Sequence, residues 1–209
     1  MIKKSLFIAL LMAIPFFANA QDNTWEQPEP SAEAAKENPD QKYLAGAVPL
    51  VDGKVVFETT IKAPGKTRKQ LFNTVLAYFE KLVKEPNQFE QSRILFADTV
   101  ENKQLAANLQ EWLVFKNKPL VLDRTRLLYQ LSAECEDGEV RLKMNRIVYF
   151  YDEEREPQTY LAEEWITDKI GLNKKQTKLA RVSGKFRRKT IDRKDYLFGK
   201  IEQLCKEAR

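Results

Sequence analysis

The chain has 209 residues and a formal net charge of +5, and its 43% hydrophobic, 11% aromatic and 31% charged residues indicate a folded globular protein with a core. It contains no histidine, which excludes Ser-His-Asp and Cys-His catalytic sites, His-ligated zinc and His-ligated haem. No calcium-loop, phosphate-loop or dinucleotide-loop motif is present, so no cofactor is expected.

The first 20 residues are typical of a cleaved export signal. Lys3 and Lys4 form a positively charged start, an apolar run covers 6–18, and Ala18-Asn19-Ala20 supplies a small-residue cleavage motif. The apolar run is shorter than the roughly 20 residues that cross a bilayer as a helix. We therefore expect cleavage before Gln21 and a periplasmic or secreted protein with no transmembrane helix.

The next segment, 21–47, is acidic and rich in Pro, Glu and Ala. Because it holds few large apolar residues, it cannot build a core, and we expect a flexible linker there. A single folded domain is predicted over 48–209, with an irregular basic segment at 156–192 before the last helix.

A strand and a helix open the predicted domain. Residues 55–61 alternate between apolar and polar side chains, as a strand does. Thr67 and Gln70 then form a T-x-x-Q capping box, which predicts the start of a helix. Apolar residues recur at helical spacing from there to Pro86, where the helix must end.

Three or four strands and a second helix follow. Alternating apolar residues predict strands at 93–100 and 109–115, and then a hairpin joined by Asp137-Gly138. The alternation changes phase near Arg146, which predicts a β-bulge or a strand end. The last helix is predicted over 193–208. This order, β-α-β-β-β-β-α, predicts an α+β domain with two helices packed on one face of an antiparallel sheet.

Four stretches of the sequence resemble one bacterial family: 48–57 (VPLVDGKVVF), 64–67 (PGKT), 162–168 (AEEWITD) and 184–192 (GKFRRKTID). The family contains secreted proteins and lipoproteins and is catalogued as a domain of unknown function with a TATA-binding-protein-like (TBP-like) fold. The resemblance implies that fold and export. It implies no activity, ligand or catalytic residue, and the fold name does not imply nucleic-acid binding. The lipid-attachment cysteine of the lipoprotein members is missing here.

The strongest candidate for a binding site is the stretch 174–194, which we call the basic tract because it carries ten basic residues and one acidic residue. Clustered Lys and Arg side chains bind phosphate and carboxylate groups, so the tract predicts contact with an envelope polyanion or a protein partner, and no nucleic acid is expected. The alternative is a solvated surface. The candidate binding residues are Trp165, Lys185, Arg187, Arg188 and Lys189.

The two cysteines lie on apolar sides of predicted elements. Cys135 ends a strand, and Cys205 lies on the apolar stripe of the last helix. An oxidising compartment allows a disulfide between them, and two buried free thiols are the alternative. A catalytic thiol is not expected, because no histidine is present to activate it.

Taken together, these features predict a non-enzymatic binding or interaction module of the cell envelope. One alternative is a glycan hydrolase that uses carboxylates such as Glu163 or Glu164, which requires two carboxyl groups about 5 to 9 Å apart in one cleft. The other alternative is a structural homodimer formed through an exposed sheet edge.

Overall fold

A computed structural model describes residues 38–119 and 121–208 of the chain. The predicted export signal, 1–20, and most of the predicted linker lie outside the described residues. A 3-10 turn, Gln41–Tyr43, comes first. The elements that follow are β1 (Leu50–Val51), β2 (Lys54–Val55), β3 (Phe57–Lys62), α1 (Arg68–Leu82), β4 (Arg93–Ala97), β5 (Gln104–Lys118), β6 (Val121–Glu136), β7 (Glu139–Tyr151), β8 (Gln158–Leu161), α2 (Ala162–Trp165), α3 (Asp168–Gly171) and α4 (Ser183–Glu207).

The main sheet is antiparallel and has six strands, five of them in the order β3-β7-β6-β5-β4 and the sixth, β8, also paired with β7. Both β3 and β8 pair with β7: β3 pairs with residues 139–144, and β8 pairs with residues 148–151. Between these two stretches Arg146 has a φ of +53°, and the pairing of β6 with β7 shifts its register. The predicted β-bulge near Arg146 is therefore confirmed, and it separates the two short strands that extend β7.

Two Asp-Gly turns join hairpins in this fold. Asp137-Gly138 connects β6 to β7, as predicted, with Gly138 at a φ of +79°. Asp52-Gly53 connects β1 to β2, and both of its residues have positive φ, at +50° and +75°. A type I′ turn requires that conformation, so the second hairpin carries the same sequence signal although it was not predicted.

Helix α1 begins where the sequence predicts it. The Gln70 N–H donates to Thr67 Oγ1 at 3.3 Å, and the Thr67 N–H donates to Gln70 Oε1 at 2.9 Å, which completes the capping box. The Arg68 N–H donates to the Asp137 carboxylate at 2.7 Å. The start of α1 is thereby connected to the turn between β6 and β7.

Helices α1 and α4 pack on one face of the sheet, and the core lies between them and the strands. The strand residues of the core alternate with those of the other face, which carries charged side chains such as Glu134, Arg141 and Lys143. We call this second face the open face. The predicted α+β class, with an antiparallel sheet and two main helices, is confirmed.

The structure differs from the predicted domain boundaries at two places. The stretch 156–192 is largely regular, because it contains β8, α2, α3 and the first ten residues of α4. Helix α4 begins at Ser183, ten residues before the predicted start at 193. Arg187 and Arg193 occupy its buried stripe, where an apolar pattern predicts apolar residues. The folded domain also begins before 48, since Tyr43 and Leu44 are buried.

Candidate functional site

The basic tract divides into two parts with different environments. Its first four bases are exposed and precede α4, whereas the other six lie on α4 and are buried or half-buried. The exposed bases are Lys174, Lys175, Lys178 and Arg181. Whether a base lies before α4 or on it therefore determines how much of its side chain is exposed to solvent.

Arg187 is fully buried, and backbone oxygens take up its guanidinium. Its Nε donates to the Tyr43 carbonyl at 2.6 Å, its Nη1 to the Ile166 carbonyl at 2.7 Å, and its Nη2 to the Leu44 carbonyl at 2.6 Å and to Asp168 Oδ1 at 2.7 Å. Burial lowers the pKa of Arg187, and Asp168 opposes that effect. The prediction of Arg187 as a surface anion ligand is wrong, because its side chain is fully buried and these bonds use four of its five N–H donors.

Arg193 is also fully buried and forms a two-point ion pair with Glu111 of β5. Its Nε and Nη2 each lie 2.8 Å from a carboxylate oxygen of Glu111. Tyr129, Asn87 and Gln88 donate further hydrogen bonds to the same carboxylate, at 2.7, 2.9 and 3.0 Å. Burial alone lowers the pKa of Arg193, but Glu111, Tyr129 and Tyr78 together outweigh it and raise the pKa above its ordinary value.

The three other bases singled out on α4 lie at its half-exposed surface. Lys185 Nζ donates to Asp123 Oδ2 at 2.7 Å, which ties α4 to the start of β6. Arg188 Nη2 donates to Asp40 Oδ1 at 2.5 Å, next to the 3-10 turn. Lys189 is half-buried. Two of these three charges therefore connect α4 to other segments.

Trp165 serves packing within the domain. Its ring stacks on Tyr160 of β8, with centroids 3.9 Å apart and planes 7° apart. It also meets the ring of the fully buried Phe186 edge-on, at 5.8 Å. The Trp165 ring is therefore already in contact with two aromatic side chains of this chain, which argues against Trp165 as a stacking surface for a ligand.

The carboxylates proposed for glycan hydrolysis lie on the short helix α2. Glu163 forms an ion pair with Lys54 of β2, with an N–O distance of 2.5 Å, and this contact raises the pKa of Lys54. Glu164 follows directly and is exposed. Because neighbouring helical residues point about 100° apart, the two carboxylates diverge instead of facing one bond of a substrate.

Both cysteines are buried free thiols in the interface between α4 and the sheet. Burial raises the pKa of Cys135 to about 12 and the pKa of Cys205 to about 11. Both groups are therefore neutral thiols near pH 7, as expected of thiols that pack among apolar neighbours.

The exposed part of the tract continues into α3, and we call 169–182 the basic loop. Lys169 precedes the four exposed bases, and neither Asp nor Glu occurs between 169 and 191. The loop has defined structure, since Leu172 and Leu179 form a β-bridge and Asn173 Oδ1 accepts the Thr177 N–H at 2.9 Å. Within the described part of the chain, none of its five basic side chains forms an ion pair.

Two apolar side chains are exposed beside these bases. Ile170 is 39% exposed and Val182 is 55% exposed, one near each end of the loop. The base of the loop is tightly packed, because a Cβ added to Gly171 would lie 2.8 Å from the Ile166 carbonyl oxygen. The loop therefore presents five positive charges and two apolar groups on a well-anchored backbone.

A second surface, which sequence reasoning missed, lies on the open face. The Arg124 guanidinium lies 3.7 Å from the ring centroid of Trp112, and Phe89 packs on the same tryptophan at 5.0 Å. The Arg126 guanidinium lies 5.5 Å from the Phe89 ring and 4.6 Å from the Phe150 ring. We call these five residues the aromatic–arginine ladder. They come from four separate segments, so no local sequence pattern could indicate the cluster.

The ladder borders a groove of about 420 Å³. Its lining includes Trp112, Phe150, Arg124 and Arg155. Its carboxylates are Asp123, Asp152, Glu153 and Glu154. Two of these four are already paired, Asp123 with Lys185 and Glu153 with Arg126.

The described residues offer neither a metal-ligand cluster nor a helix that could cross a membrane. Within 38–119 and 121–208, no three Cys, Asp or Glu side chains are grouped so that they could hold a metal ion. None of the helices in that part of the chain has the length and apolar character needed to cross a bilayer.

Comparisons with known proteins agree with this architecture. Residues 57–150 match a family model described as a domain of unknown function (DUF4468) with TBP-like fold. No protein of curated function matches the sequence significantly. The matched residues run from β3 to β7 and thus cover most of the main sheet.

Two crystal structures are similar to the chain. A DUF4468 family protein from Bacteroides ovatus ATCC 8483 is 39% identical, with a TM-score of 0.73, and the match covers 81% of this chain and 96% of that one. A TBP-like protein from Parabacteroides distasonis ATCC 8503 is 17% identical, with a TM-score of 0.61, over 78% of this chain and 99% of that one. The second likeness shows the fold alone. From the first, together with the family model, it follows that the chain belongs to the DUF4468 family and has a TBP-like fold.

Proposed function

We propose that this protein is a non-enzymatic binding module of the bacterial cell envelope, exported by the segment 1–20. The basic loop is its contact surface, and the ligand is a phosphate-bearing lipid surface, either lipopolysaccharide or anionic phospholipid. The observation that carries the proposal is the set of five exposed bases with no acidic residue among them.

The charge of the loop is available for a ligand. Elsewhere in the tract, Arg187 and Arg193 are buried, and Lys185 and Arg188 are paired with carboxylates. Each Lys or Arg held near an anionic membrane contributes about 1 kcal/mol at physiological ionic strength. Five such charges on one loop are therefore enough for reversible adsorption.

The apolar side chains of the loop support a lipid surface over a soluble polyanion. Exposed Ile170 and Val182 gain little from a fully hydrated polysaccharide, but they gain free energy when they enter the interface between headgroups and acyl chains. Binding that uses both residue types should resist salt in part, because the apolar contribution is not screened.

The non-enzymatic character rests on the described side chains. Glu163 is engaged with Lys54, and both thiols have raised pKa values, so these candidates for an acid, a base or a nucleophile are poorly suited to those roles. We therefore assign the molecule a binding role and no reaction.

Co-sedimentation with vesicles tests the proposal. The mature protein from Gln21 onward is mixed with zwitterionic phospholipid vesicles, with anionic phospholipid vesicles and with vesicles that contain lipopolysaccharide. The loop variant replaces Lys174, Lys175, Lys178 and Arg181 by Glu. We expect the wild type to bind the anionic surfaces at least tenfold better than the zwitterionic one, and the loop variant to lose this preference.

A matched control carries the same change in net charge at exposed lysines outside the loop. It replaces Lys69, Lys84, Lys116 and Lys118 by Glu. If the control loses binding as completely as the loop variant, only the net charge of the protein matters, and the loop is not the site. Equal binding to anionic and zwitterionic vesicles would also overturn the proposal.

A second candidate function is supported by the groove beside the ladder. There, Arg155 shares a space of about 420 Å³ with four carboxylates and with the rings of Trp112 and Phe150. Guanidinium and carboxylate groups hydrogen-bond to sugar hydroxyls, and aromatic rings pack on sugar rings, so the groove suits a sugar unit of a neutral glycan. An array of neutral glycans probed with wild type and with Arg155→Ala tests it, because Arg155 is exposed and its loss should weaken binding without unfolding the domain.

A further inference from the structure

The outer edge of β3 is unpaired in the described part of the chain. β3 pairs with β7 on one side, and on its other side lies a groove of about 680 Å³. The groove runs between β3 and α4, where Phe198, Gly199 and Glu202 line it. A Cβ added to Gly199 would have no atom within 4 Å, so the helix surface recedes from the strand at this point.

The hydrogen-bonding pattern determines which backbone groups face this edge. The Ala63 N–H donates to the Gly138 carbonyl at 2.8 Å, one step beyond the pairing of Lys62 with Glu139. Backbone groups alternate in direction along an antiparallel strand. The N–H and C=O groups of Glu58, Thr60 and Lys62 therefore point away from β7 and are available to another strand.

We propose that a second copy of this chain pairs with β3 through the same strand, antiparallel and about a two-fold axis. The free backbone groups select the register. Thr60 lies opposite Thr60 of the second copy, and Glu58 lies opposite Lys62 of the second copy. Each of these pairs exchanges two backbone hydrogen bonds, so the register uses all three outward-facing residues of the strand.

Charge complementarity favours a second copy of this chain as the partner of β3. Charged residues on an edge strand usually prevent pairing. Here the symmetric register puts opposite charges side by side at both ends of the contact, and opposite charges directly across two strands stabilise a sheet.

The neighbouring strand extends this complementarity. Within one copy, Glu58 lies 3.5 Å from Lys143 of β7, and Lys62 forms an ion pair with Glu139 of β7. Across the joined sheets the charges of one row therefore alternate in sign, in the order Lys143, Glu58, Lys62 of the second copy and Glu139 of the second copy. The Thr60 pair lies on the axis, between the two symmetry-related rows.

The opposite edge of the sheet does not offer the same contact. β4 has a register shift between Ile94 and Phe96, so its backbone is irregular along its short length. Leu95 and Phe96 are exposed there, and Arg93 is its one charged residue. Two copies of β4 would place no opposite charges together, which makes β3 the edge suited to self-pairing.

Sedimentation velocity over a range of protein concentrations tests the proposal without any lipid. Wild type should move from monomer to dimer as its concentration rises. Glu58→Lys places Lys beside Lys, and Lys62→Glu places Glu beside Glu, each at two related positions. We expect either change to weaken the dimer about tenfold or more.

The double variant Glu58→Lys with Lys62→Glu restores opposite charges across the axis and should recover most of the dimer. Arg93→Glu, a charge reversal on the other edge strand, is the matched control and should leave the dimer unchanged. A wild type that is monomeric at all concentrations overturns the proposal. So does a double variant that is no stronger a dimer than the two single variants, provided that all variants show the wild-type circular dichroism spectrum.

Cross-linking tests the register separately. Thr60→Cys puts two cysteines opposite each other, where Cα atoms are about 5.5 Å apart and a disulfide can form. In Lys62→Cys the two cysteines are offset by four residues, roughly 13 Å, which is too far. We expect a covalent dimer from Thr60→Cys alone under oxidising conditions. The native thiols are buried and do not interfere. Equal cross-linking of both variants would overturn the register.

Discussion

Two arginines of α4, Arg187 and Arg193, and the two arginines of β6 are used in opposite ways. Arg187 and Arg193 are completely buried, each with at least two oxygen acceptors of the protein around its guanidinium. Arg124 and Arg126 are half-buried and lie against aromatic rings on the open face. The same residue type thus connects segments in one region and covers a surface in the other.

This difference shows what a buried charge needs. Removing a guanidinium from water costs several kcal/mol unless its donors are taken up by other acceptors. Arg187 and Arg193 meet this condition because several segments bring oxygens to them. A surface arginine stays hydrated and needs no protein acceptors around its guanidinium. Its contact with an aromatic ring stabilises the fold by about 0.5 to 1 kcal/mol at an exposed site. Mutations in the two regions should therefore differ mainly in their effect on stability.

The largest effect is expected for Arg193→Met. The change leaves the Glu111 carboxylate buried without its cation and should lower the free energy of unfolding by about 3 to 5 kcal/mol. Urea unfolding followed by circular dichroism measures it. The double variant Arg193→Met with Glu111→Leu should recover part of the loss, because no charge of this pair is left unpaired, although the buried Tyr129 hydroxyl loses its acceptor. A loss under about 1 kcal/mol in the single variant would contradict this account of the pair.

The next effect is expected for Arg187→Met. Three backbone carbonyls lose their donor. The segment that includes Tyr43 and Leu44 then keeps only its weaker, partly exposed bonds to α4, such as the one from the Tyr43 hydroxyl to Asp192. We expect a loss of about 2 to 3 kcal/mol and faster proteolysis within 38–47. Arg188→Met is the matched control, because its ion pair with Asp40 is partly exposed and should be worth about 0.5 kcal/mol. Equal effects of the two changes would show that burial does not distinguish them.

A smaller effect is expected for the open face. Arg126→Met removes the contacts with Phe89 and Phe150 and the ion pair with Glu153, at a half-exposed site. We expect a loss of about 1 kcal/mol in thermal or chemical unfolding. If Arg126→Met destabilises the fold as much as Arg187→Met does, the ladder is part of the core and the contrast between the two regions fails.

The smallest effect on stability at neutral pH is expected for the two thiols beneath α4, Cys135 and Cys205. The ordinary thiol pKa is 9.0, and burial raises the pKa of Cys135 to about 12 and of Cys205 to about 11. The raised pKa values favour the neutral thiols in the folded state, so their contribution to the free energy of unfolding is complete below pH 9. This contribution decreases as the pH rises towards 11 to 12. We expect both thiols to react slowly with a thiol reagent at pH 8 in native protein and quickly in guanidinium.

Counting the thiols that react with the same reagent also distinguishes a disulfide from two free thiols, the two states that the sequence allows for the cysteines. Two reactive thiols in denatured, unreduced protein agree with the structure, in which both are free. No reactive thiol under those conditions would show that exported protein carries a disulfide between Cys135 and Cys205. Fast reaction in native protein would instead show that α4 is loosely seated on the sheet.

Local patterns predicted most of the fold. The capping box at Thr67, the Asp137-Gly138 turn and the bulge near Arg146 depend on residues close in sequence, and all three are confirmed. The start of α4 could not be placed in this way. Two arginines on its inner stripe interrupt the apolar spacing, and only their partners on other segments, such as Glu111, make those positions buried.

The candidate site was predictable in part. Charge counting located the basic tract, and its first four bases, from Lys174 to Arg181, are exposed, as a solvated or binding surface requires. It could not distinguish these residues from Arg187, since sequence shows a charge and not the oxygens around it. The aromatic–arginine ladder was missed for a related reason, because Phe89, Trp112 and Phe150 meet only when three strands and a loop are assembled.

By itself, the sequence determined the longer strands, the first helix, the Asp137-Gly138 turn and the family, because these depend on spacing between neighbouring residues and on similarity to other chains. The tertiary structure alone decided which charges are buried, which edge of the sheet is unpaired and which side chains share a surface. The physical reason is that the free energy of a charged or polar group depends on what surrounds it in space. Those surroundings come from segments that are far apart in the chain.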